Sequence, residues 1–158
     1  MDLGHLPSLH RGFTLIELMV TVAILAIVAS LATPGLQQLL AAQRLRSAGY
    51  DLISDLTLAR SEALKRGASI QLKPDAAGWV NGWTVQLPDG TAVLSQRRSL
   101  GVNVVVSAAP GSVTFDASGR VPIASVVRFG LSDGGRGRRC VSLDPSGRPK
   151  SSSADCPV

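Results

Sequence analysis

The stretch that decides the fold is Arg11-Gly12-Phe13-Thr14-Leu15-Ile16-Glu17-Leu18, which joins a short polar leader to a long apolar run. From Phe13 to Thr33, Glu17 is the only charged residue. A helix rises about 1.5 Å per residue, so this run is about 30 Å long, the thickness of the hydrocarbon core of a bilayer. The sequence therefore predicts a transmembrane helix here.

Glu17 is an unusual residue for such a helix. A carboxylate costs about 2.5–3.5 kcal/mol at the bilayer centre and less near an interface, so an acidic residue in an apolar segment usually marks a function. The alternative is an ordinary membrane anchor that is never cleaved, in which Glu17 merely lies near the lipid headgroups.

The hexapeptide Gly12-Phe13-Thr14-Leu15-Ile16-Glu17, with a basic residue before it and an apolar run after it, closely resembles the class III signal of type IV pilins and type II secretion pseudopilins. The resemblance implies cleavage by prepilin peptidase between Gly12 and Phe13 and methylation of the new Phe13 amine. It also implies an assembly role for Glu17, which in this family neutralises the N-terminal amine of a neighbouring subunit. Buried charges are tolerated mainly when they pair in this way.

The composition argues against an enzyme. The chain has 158 residues and a formal net charge of +5, and removing the leader takes away one base and one acid, Arg11 and Asp2, so the charge is unchanged. Both histidines, His5 and His10, lie in the leader. Because the mature chain then lacks the commonest general base and metal ligand, we expect no catalytic site, no metal and no cofactor.

The apolar run is followed by a second helical segment. Pro34-Gly35 predicts a weak point, since proline costs about 3 kcal/mol in a helix interior. From Leu36 to about Arg66 the apolar residues recur every three or four positions, and Gly67 is a typical helix end. We expect this stripe to pack on a sheet rather than on a partner; its members are Leu45, Ala48, Leu52, Leu56, Ala59 and Ala63.

From Ser69 onward the period changes to two, which is typical of β-strands. Turn residues such as Asp89-Gly90 separate the segments and favour antiparallel pairing. Cys140–Leu143 is predicted to be the last strand, and the earlier ones are 69–73, 83–87, 102–106, 112–115 and 126–131. The expected fold class is α+β.

Three internal motifs narrow the resemblance to the FimT/GspH branch of minor pilins and pseudopilins, with FimT-type members the most similar. They are Ala59–Ala63 late in the helix, Gly78–Trp83 at the start of the sheet, and Val113–Arg120. The implied fold is type IV pilin-like: a long N-terminal helix, its transmembrane half protruding, packed on an antiparallel β-sheet head. The implied segments are a leader (1–12), a transmembrane and pilus-core half of the helix (13–34), an amphipathic half (35–67) and a β-rich head with a basic tail (68–158).

The resemblance also implies location and partners. The protein is expected to cross the bacterial inner membrane once, with its head in the periplasm, and to be extracted into a pilus fibre. Its expected partners are prepilin peptidase, the inner membrane and other pilin subunits. Outside the inner membrane Cys140 and Cys156 are expected to form a disulfide, with free thiols or an intermolecular bridge as alternatives.

Trp79 and Trp83 have two interpretations. Exposed aromatic rings can stack on bases or sugars. In a chain with few aromatic residues, however, we favour a role in packing.

The C-terminal part is strongly basic. Residues 128–150 contain two acids, Asp133 and Asp144, and six basic residues: Arg128, Arg136, Arg138, Arg139, Arg148 and Lys150. Arginines on a glycine-rich backbone suit a chain of phosphates, because the guanidinium donates in a fork and small neighbours allow close approach. A solvated basic loop that keeps the surface soluble is the alternative.

Ser146-Gly147-Arg148-Pro149-Lys150 resembles the Gly-Arg-x-Arg tail motif with which FimT-type minor pilins bind DNA during natural transformation. Lys150 stands where arginine is usual, and Gly135–Arg138 matches the same letters before the predicted last strand. The resemblance implies DNA binding without sequence preference, with Arg136, Arg138, Arg139, Arg148 and Lys150 as the DNA-binding residues. The alternative function is that of a GspH-like minor pseudopilin with a structural role in a type II secretion fibre.

Overall fold

The computed structural model describes residues 12–101, 103–122, 125–135 and 137–157. The chain divides into two compact units, Met1–Gln38 and Leu39–Val158. Helix α1, Leu15–Arg66, begins in the first and ends in the second. Of the predicted leader, only Gly12 belongs to the described residues.

The start of α1 is capped by its own sequence. The backbone N–H of Glu17 donates to the hydroxyl oxygen of Thr14 over 3.3 Å, so Thr14 occupies the cap position and Glu17 the third helical position of a Thr-x-x-Glu pattern. A carboxylate in the first turn is also favoured by the helix dipole. Glu17 therefore stabilises the helix start whether or not it pairs with another subunit.

The apolar run is exposed on all sides in the isolated chain, from Phe13 to Leu31. Among the described residues no single helix is long and apolar enough to cross a membrane, but the stretches Leu15–Leu31 and Gly35–Arg66 meet the length and composition test together, as a broken pair. The predicted weak point at Pro34-Gly35 coincides with this break.

The second half of α1 provides one wall of the core. All six residues of the predicted stripe are buried, which confirms that this face packs within the chain. The helix ends as expected: Gly67 has a φ of 60°, and the N–H of Ala68 donates to the carbonyl of Ala63 over 3.3 Å. This pair of features is the Schellman arrangement, which glycine allows because it lacks a Cβ.

Two antiparallel four-stranded sheets form the rest of the core. The first has the order β3-β2-β1-β5 and the second β4-β6-β7-β8. The strands are β1 Ile70–Pro74, β2 Gly82–Gln86, β3 Val93–Arg98, β4 Val105–Ala108, β5 Val113–Phe115, β6 Val127–Ser132, β7 Arg138–Leu143 and β8 Pro149–Ser152, and a short 3-10 helix, Trp79–Asn81, precedes β2. The predicted α+β arrangement is confirmed.

Three strand predictions need correction. β3 was not predicted. It lies at a sheet edge, and Leu94 is the only apolar residue among its six that is even partly buried, so the strand shows no alternating apolar pattern. The segment predicted at 102–106 forms a strand only from Val105 to Ala108. Cys140–Leu143 is not the last strand: it belongs to β7, which begins at Arg138, and β8 follows it.

The two tryptophans are core residues, and the interpretation as an exposed stacking platform is wrong. Trp79 and Trp83 are 8% and 2% exposed. Trp79 packs edge-on against Phe129, with 4.9 Å between ring centroids, and its Nε1 donates to the carbonyl of Pro110 over 2.7 Å. Nε1 of Trp83 donates over 2.9 Å to the buried carboxylate of Asp55, so each indole N–H has an acceptor, as burial requires.

Candidate nucleic-acid interface

Of the five residues predicted to bind DNA, the four that the structure describes lie on or beside β7 and β8. Arg136 lies outside the described residues. Arg138 and Arg139 begin β7, Lys150 is in β8, and Arg148 directly precedes β8. Neighbours in a strand point to opposite faces of the sheet, so these residues do not all share one surface.

The outward face of the second sheet carries a row of polar residues. Phe129, Val141 and Leu143 point into the core, so the residues that alternate with them point outward. Arg128 of β6 pairs with Ser142 of β7, which pairs in turn with Lys150 of β8. Since adjacent strands are about 4.8 Å apart, the row places Arg128 and Lys150 about 10 Å from each other.

Arg138 lies on this same face but already has partners. It pairs with Ser132 in the sheet register. One guanidinium nitrogen donates to the carbonyls of Gly135 and Gly137 over 2.6 and 3.0 Å, and Nε lies 3.3 Å from a carboxylate oxygen of Asp155. An exposed ion pair of this kind contributes at most about 1 kcal/mol, so a phosphate can displace Asp155 at little cost.

Arg139 points the other way, towards α1. One of its terminal nitrogens donates to the hydroxyl of Ser151 over 2.8 Å, and its aliphatic part lies against Gly49, where an added Cβ would collide with it. Nε is buried and has no hydrogen-bond partner among the described residues. Arg139 therefore packs β7 and β8 onto the helix.

Arg148 closes a tight turn between β7 and β8, Asp144-Pro145-Ser146-Gly147-Arg148. A carboxylate oxygen of Asp144 accepts hydrogen bonds from the Ser146 hydroxyl and, over 3.2 Å, from the N–H of Arg148. The hydroxyl of Ser146 is the main reason that the pKa of Asp144 lies below its ordinary value, followed by the Arg148 N–H. Gly147 adopts a φ of 78°, in the left-handed region that favours glycine.

A second turn with the same Asp-x-Ser-Gly-Arg pattern follows β5: Asp116-Ala117-Ser118-Gly119-Arg120. Its Asp116 carboxylate accepts from the Ser118 hydroxyl and from the N–H groups of Ser118 and Arg120, and Gly119 has a φ of 69°. The hydrogen bond from the Ser118 hydroxyl is the largest cause lowering the pKa of Asp116. The sequence analysis treated this segment as a family motif and did not predict it to be part of the binding site, although the five-residue pattern is repeated in the sequence.

The two turns lie against each other. The N–H of Val121 donates to the carbonyl of Pro145 over 3.2 Å, and a Cβ added to Gly147 would collide with the carbonyl oxygen of Gly119. Arg60 of α1 lies beside both, because its Nε donates to that same Gly119 carbonyl over 3.1 Å and its side chain fills the space where a Cβ of residue 147 would point. The turns are thus held at one place on the helix.

Cys140 and Cys156 are joined by a disulfide, so the predicted pairing is present. Cys140 is on the outward face of β7, paired with Ser152 of β8. Arg148 and Lys150 lie within the closed loop, and Arg138 and Arg139 lie directly before it.

In the described part of the chain, no group of three or more His, Cys, Asp or Glu residues is placed to hold a metal ion.

Comparison with known proteins gives the family. Residues 48–147 match the model of the type II transport protein GspH, and residues 7–33 match that of the prokaryotic N-terminal methylation motif. No curated protein sequence matches the chain.

Two crystal forms of the type IV minor pilin FimU of Pseudomonas aeruginosa (strain PAO1) are similar in structure, each at 25% sequence identity and over 68% of this chain. The TM-score is 0.61 for the form in space group P21, with 87% of the FimU chain covered, and 0.58 for the form in P65, with 91% covered. The predicted pilin-like fold is confirmed by this similarity. The chain belongs to the GspH/FimT family of type IV minor pilins and pseudopilins.

Proposed function

We propose that this protein is a minor type IV pilin that binds DNA without sequence preference through its basic C-terminal tail, for DNA uptake in natural transformation. The observation that supports this most is the exposed basic surface around β8. Lys150 and Arg148 are exposed, Arg128 lies two strands from Lys150 in the same outward row, and the acidic partner of Arg138, Asp155, is itself exposed.

The chemistry of this surface suits a phosphate backbone. Arginine donates two parallel hydrogen bonds to a phosphate, and lysine acts as a point charge. Binding releases condensed counterions, so affinity falls steeply with salt. The surface is built from strands and turns with no helix to enter the major groove, and contacts to phosphates alone carry no sequence information. We therefore expect binding that depends on charge.

The side chains are expected to contribute unequally. Arg148 and Lys150 make no salt bridge among the described residues, so they bind phosphate without first losing a partner. Arg138 must exchange Asp155 for phosphate. Arg139 is partly buried against Gly49 and Ser151, so its direct share is expected to be the smallest.

Delivery to the fibre is the second part of the proposal. Prepilin peptidase cleaves between Gly12 and Phe13, and the Phe13 amine is methylated. Glu17 then pairs with the N-terminal amine of a neighbouring subunit. The match of residues 7–33 to the methylation motif supports this. The protein then spans the inner membrane once, with the head in the periplasm, until it enters a pilus. Mass spectrometry of the N-terminal peptide from cells tests the processing: an N-methylated Phe13 is expected, and an intact Gly12–Phe13 bond contradicts it.

A gel-shift with the unit Leu39–Val158 tests DNA binding. Every residue of the buried core cluster lies in this unit, so we expect it to fold alone, which circular dichroism checks. Replacing Arg138, Arg139, Arg148 and Lys150 with Ala should abolish binding at moderate salt, and the weak binding that remains at low salt should show a salt slope lower by up to about 3.6 for duplex DNA. The matched control removes four exposed charges elsewhere, Arg44, Arg46, Lys73 and Arg98. If the variant with four alanines binds DNA with the same affinity and the same salt slope as the unaltered unit, the tail is not the binding site.

A structural role in a type II secretion fibre is the second candidate, and the GspH model that matches residues 48–147 favours it. The basic side chains would then contact sister subunits or cargo. Deleting the gene separates the candidates, since loss of transformation with intact secretion supports the first and the reverse outcome supports the second.

A further inference from the structure

The repeated Asp-x-Ser-Gly-Arg turns place two arginines at one site. We propose that Arg120 of the first turn and Arg148 of the second bind phosphates of the same nucleic-acid segment, so that the DNA-binding surface extends beyond the tail to the β5–β6 connection. This rests on the proposed function and adds a contact residue 28 positions before Arg148 in the chain.

The geometry brings the two arginines close together. Gly119 and Gly147 are in contact, and each directly precedes its arginine. Consecutive Cα atoms are about 3.8 Å apart, so the Arg120 and Arg148 Cα atoms lie within about 14 Å of each other. Duplex DNA carries one phosphate per about 1.7 Å of axis, and therefore about eight phosphates over that distance. Both side chains can reach phosphates of one short segment.

Both guanidinium groups are available for a ligand. Arg120 and Arg148 are exposed, and neither guanidinium makes a salt bridge or hydrogen bond within the described part of the chain. The neighbouring carboxylates of Asp116 and Asp144 are engaged by hydroxyl and N–H donors of their own turns. Each carboxylate therefore shapes its own turn, and among the described residues the guanidinium of the arginine that ends the turn has no ion-pair partner.

The backbone of the two turns is preformed. In both turns the carboxylate accepts from the serine hydroxyl and from the arginine N–H, and the glycine N–H donates to the aspartate carbonyl, over 2.8 Å in the first turn and 2.9 Å in the second. Arg60 holds them at one position on α1. A binding site on rigid backbone loses less conformational entropy when it binds, which favours two fixed turns over a flexible basic loop.

Fluorescence anisotropy with the full chain in detergent micelles and a short labelled duplex, at two salt concentrations, tests the proposal. Arg120→Ala should weaken binding about fivefold and lower the salt slope by about 0.9. Arg120→Lys should restore most of both, because it keeps the charge. The double variant Arg120→Ala with Arg148→Ala should lower the slope by about twice as much. The control is Arg98→Ala, which removes an exposed arginine from the far edge of the first sheet.

The outcomes separate this inference from the proposed function. If Arg148→Ala weakens binding but Arg120→Ala behaves like Arg98→Ala, the tail binds DNA and the paired site is wrong. If the unaltered chain does not bind the duplex at either salt concentration, both are wrong. A fall in affinity with an unchanged salt slope for Arg120→Ala also overturns the pairing, because no phosphate contact was lost.

Discussion

The guanidinium group of Arg139 lies over the ring of Tyr50, with 5.8 Å between its Cζ atom and the ring centroid. Gly49, the residue before Tyr50, leaves the space that the aliphatic part of Arg139 occupies. The helix and the second sheet therefore meet through a cation on an aromatic face, although the sequence analysis predicted Arg139 to bind DNA.

We expect Arg139 and Tyr50 to be energetically coupled. A double-mutant cycle with Arg139→Ala and Tyr50→Ala, followed by urea unfolding, should give a coupling energy of about 0.5–1 kcal/mol, the usual value for an exposed cation–π pair. If the losses in the free energy of unfolding of the two single variants simply add up in the double variant, the contact does not contribute to stability.

Asp55 is expected to be the most sensitive polar residue of the core. Its carboxylate is buried and accepts from Trp83 and, over 3.1 Å, from Nε of Arg97. Asp55→Ala leaves two donors without their acceptor and should lower the free energy of unfolding by about 3 kcal/mol. Asp51 also pairs with Arg97 but is half-exposed, so Asp51→Ala should cost less than about 1 kcal/mol. Equal losses for the two variants contradict this ranking.

Gly147 and Gly134 form a matched pair for testing the contact between the turns. Their φ angles are 78° and 76°, so alanine is strained to a similar extent at both. A Cβ at Gly134 meets nothing within 4 Å, whereas one at Gly147 collides with the Gly119 carbonyl. Gly134→Ala should therefore cost about 1 kcal/mol of stability and Gly147→Ala about 3 kcal/mol. Chemical denaturation measures both, and similar values would mean that the turns are not in contact.

The acid stability of the head should depend on the two turn aspartates. The pKa values of Asp116 and Asp144 lie below the ordinary 3.8, first because of the Ser118 and Ser146 hydroxyls. A lowered pKa in the folded state adds stability above the unfolded pKa, and this is lost as the pH falls through the folded value. In urea unfolding between pH 5 and about pH 2.5, the variant Asp116→Asn with Asp144→Asn should lose less stability than the unaltered protein below about pH 4. Parallel pH profiles contradict this.

Opening the disulfide should affect stability and DNA binding together. The Cys140–Cys156 loop has a sequence separation of 16, and closing such a loop contributes about 3 kcal/mol in the chain-entropy estimate. Cys140→Ser with Cys156→Ser should lower the melting temperature and weaken DNA binding, because Arg148 and Lys150 lie within the loop. Adding reductant to the unaltered protein should reproduce both effects. Unchanged affinity in the reduced protein would show that the tail needs no covalent closure.

The helix and the core strands could be predicted from the sequence because their buried apolar residues recur at regular intervals along the chain. The α1 stripe recurs every three or four residues, and β6 alternates buried Phe129 and Leu131 with outward residues. β3 and β8 could not be found in this way. β8 has no large apolar residue, and both strands lie at sheet edges, so their pairing comes from backbone hydrogen bonds that leave no apolar pattern.

The candidate site could be predicted as a cluster but not as a surface. Arg138 and Arg139 are adjacent in sequence, yet the alternation of a strand places them on opposite faces of β7. Arg120 is far from the tail in sequence, and only the contact between the turns brings it near Arg148. Composition finds the charges, whereas the register of the strands decides which of them share a surface.

The hydrogen bond from Arg60 to the Gly119 carbonyl also has a mechanical meaning. A polyanion pulled away from the turns would transfer tension through this bond directly into α1, without first peeling β8 from the sheet edge. The disulfide provides a second, covalent path for the same force, from the tail into β7. Two parallel paths share the load, so the attachment should resist a pull that would strip an edge strand held by its backbone hydrogen bonds alone.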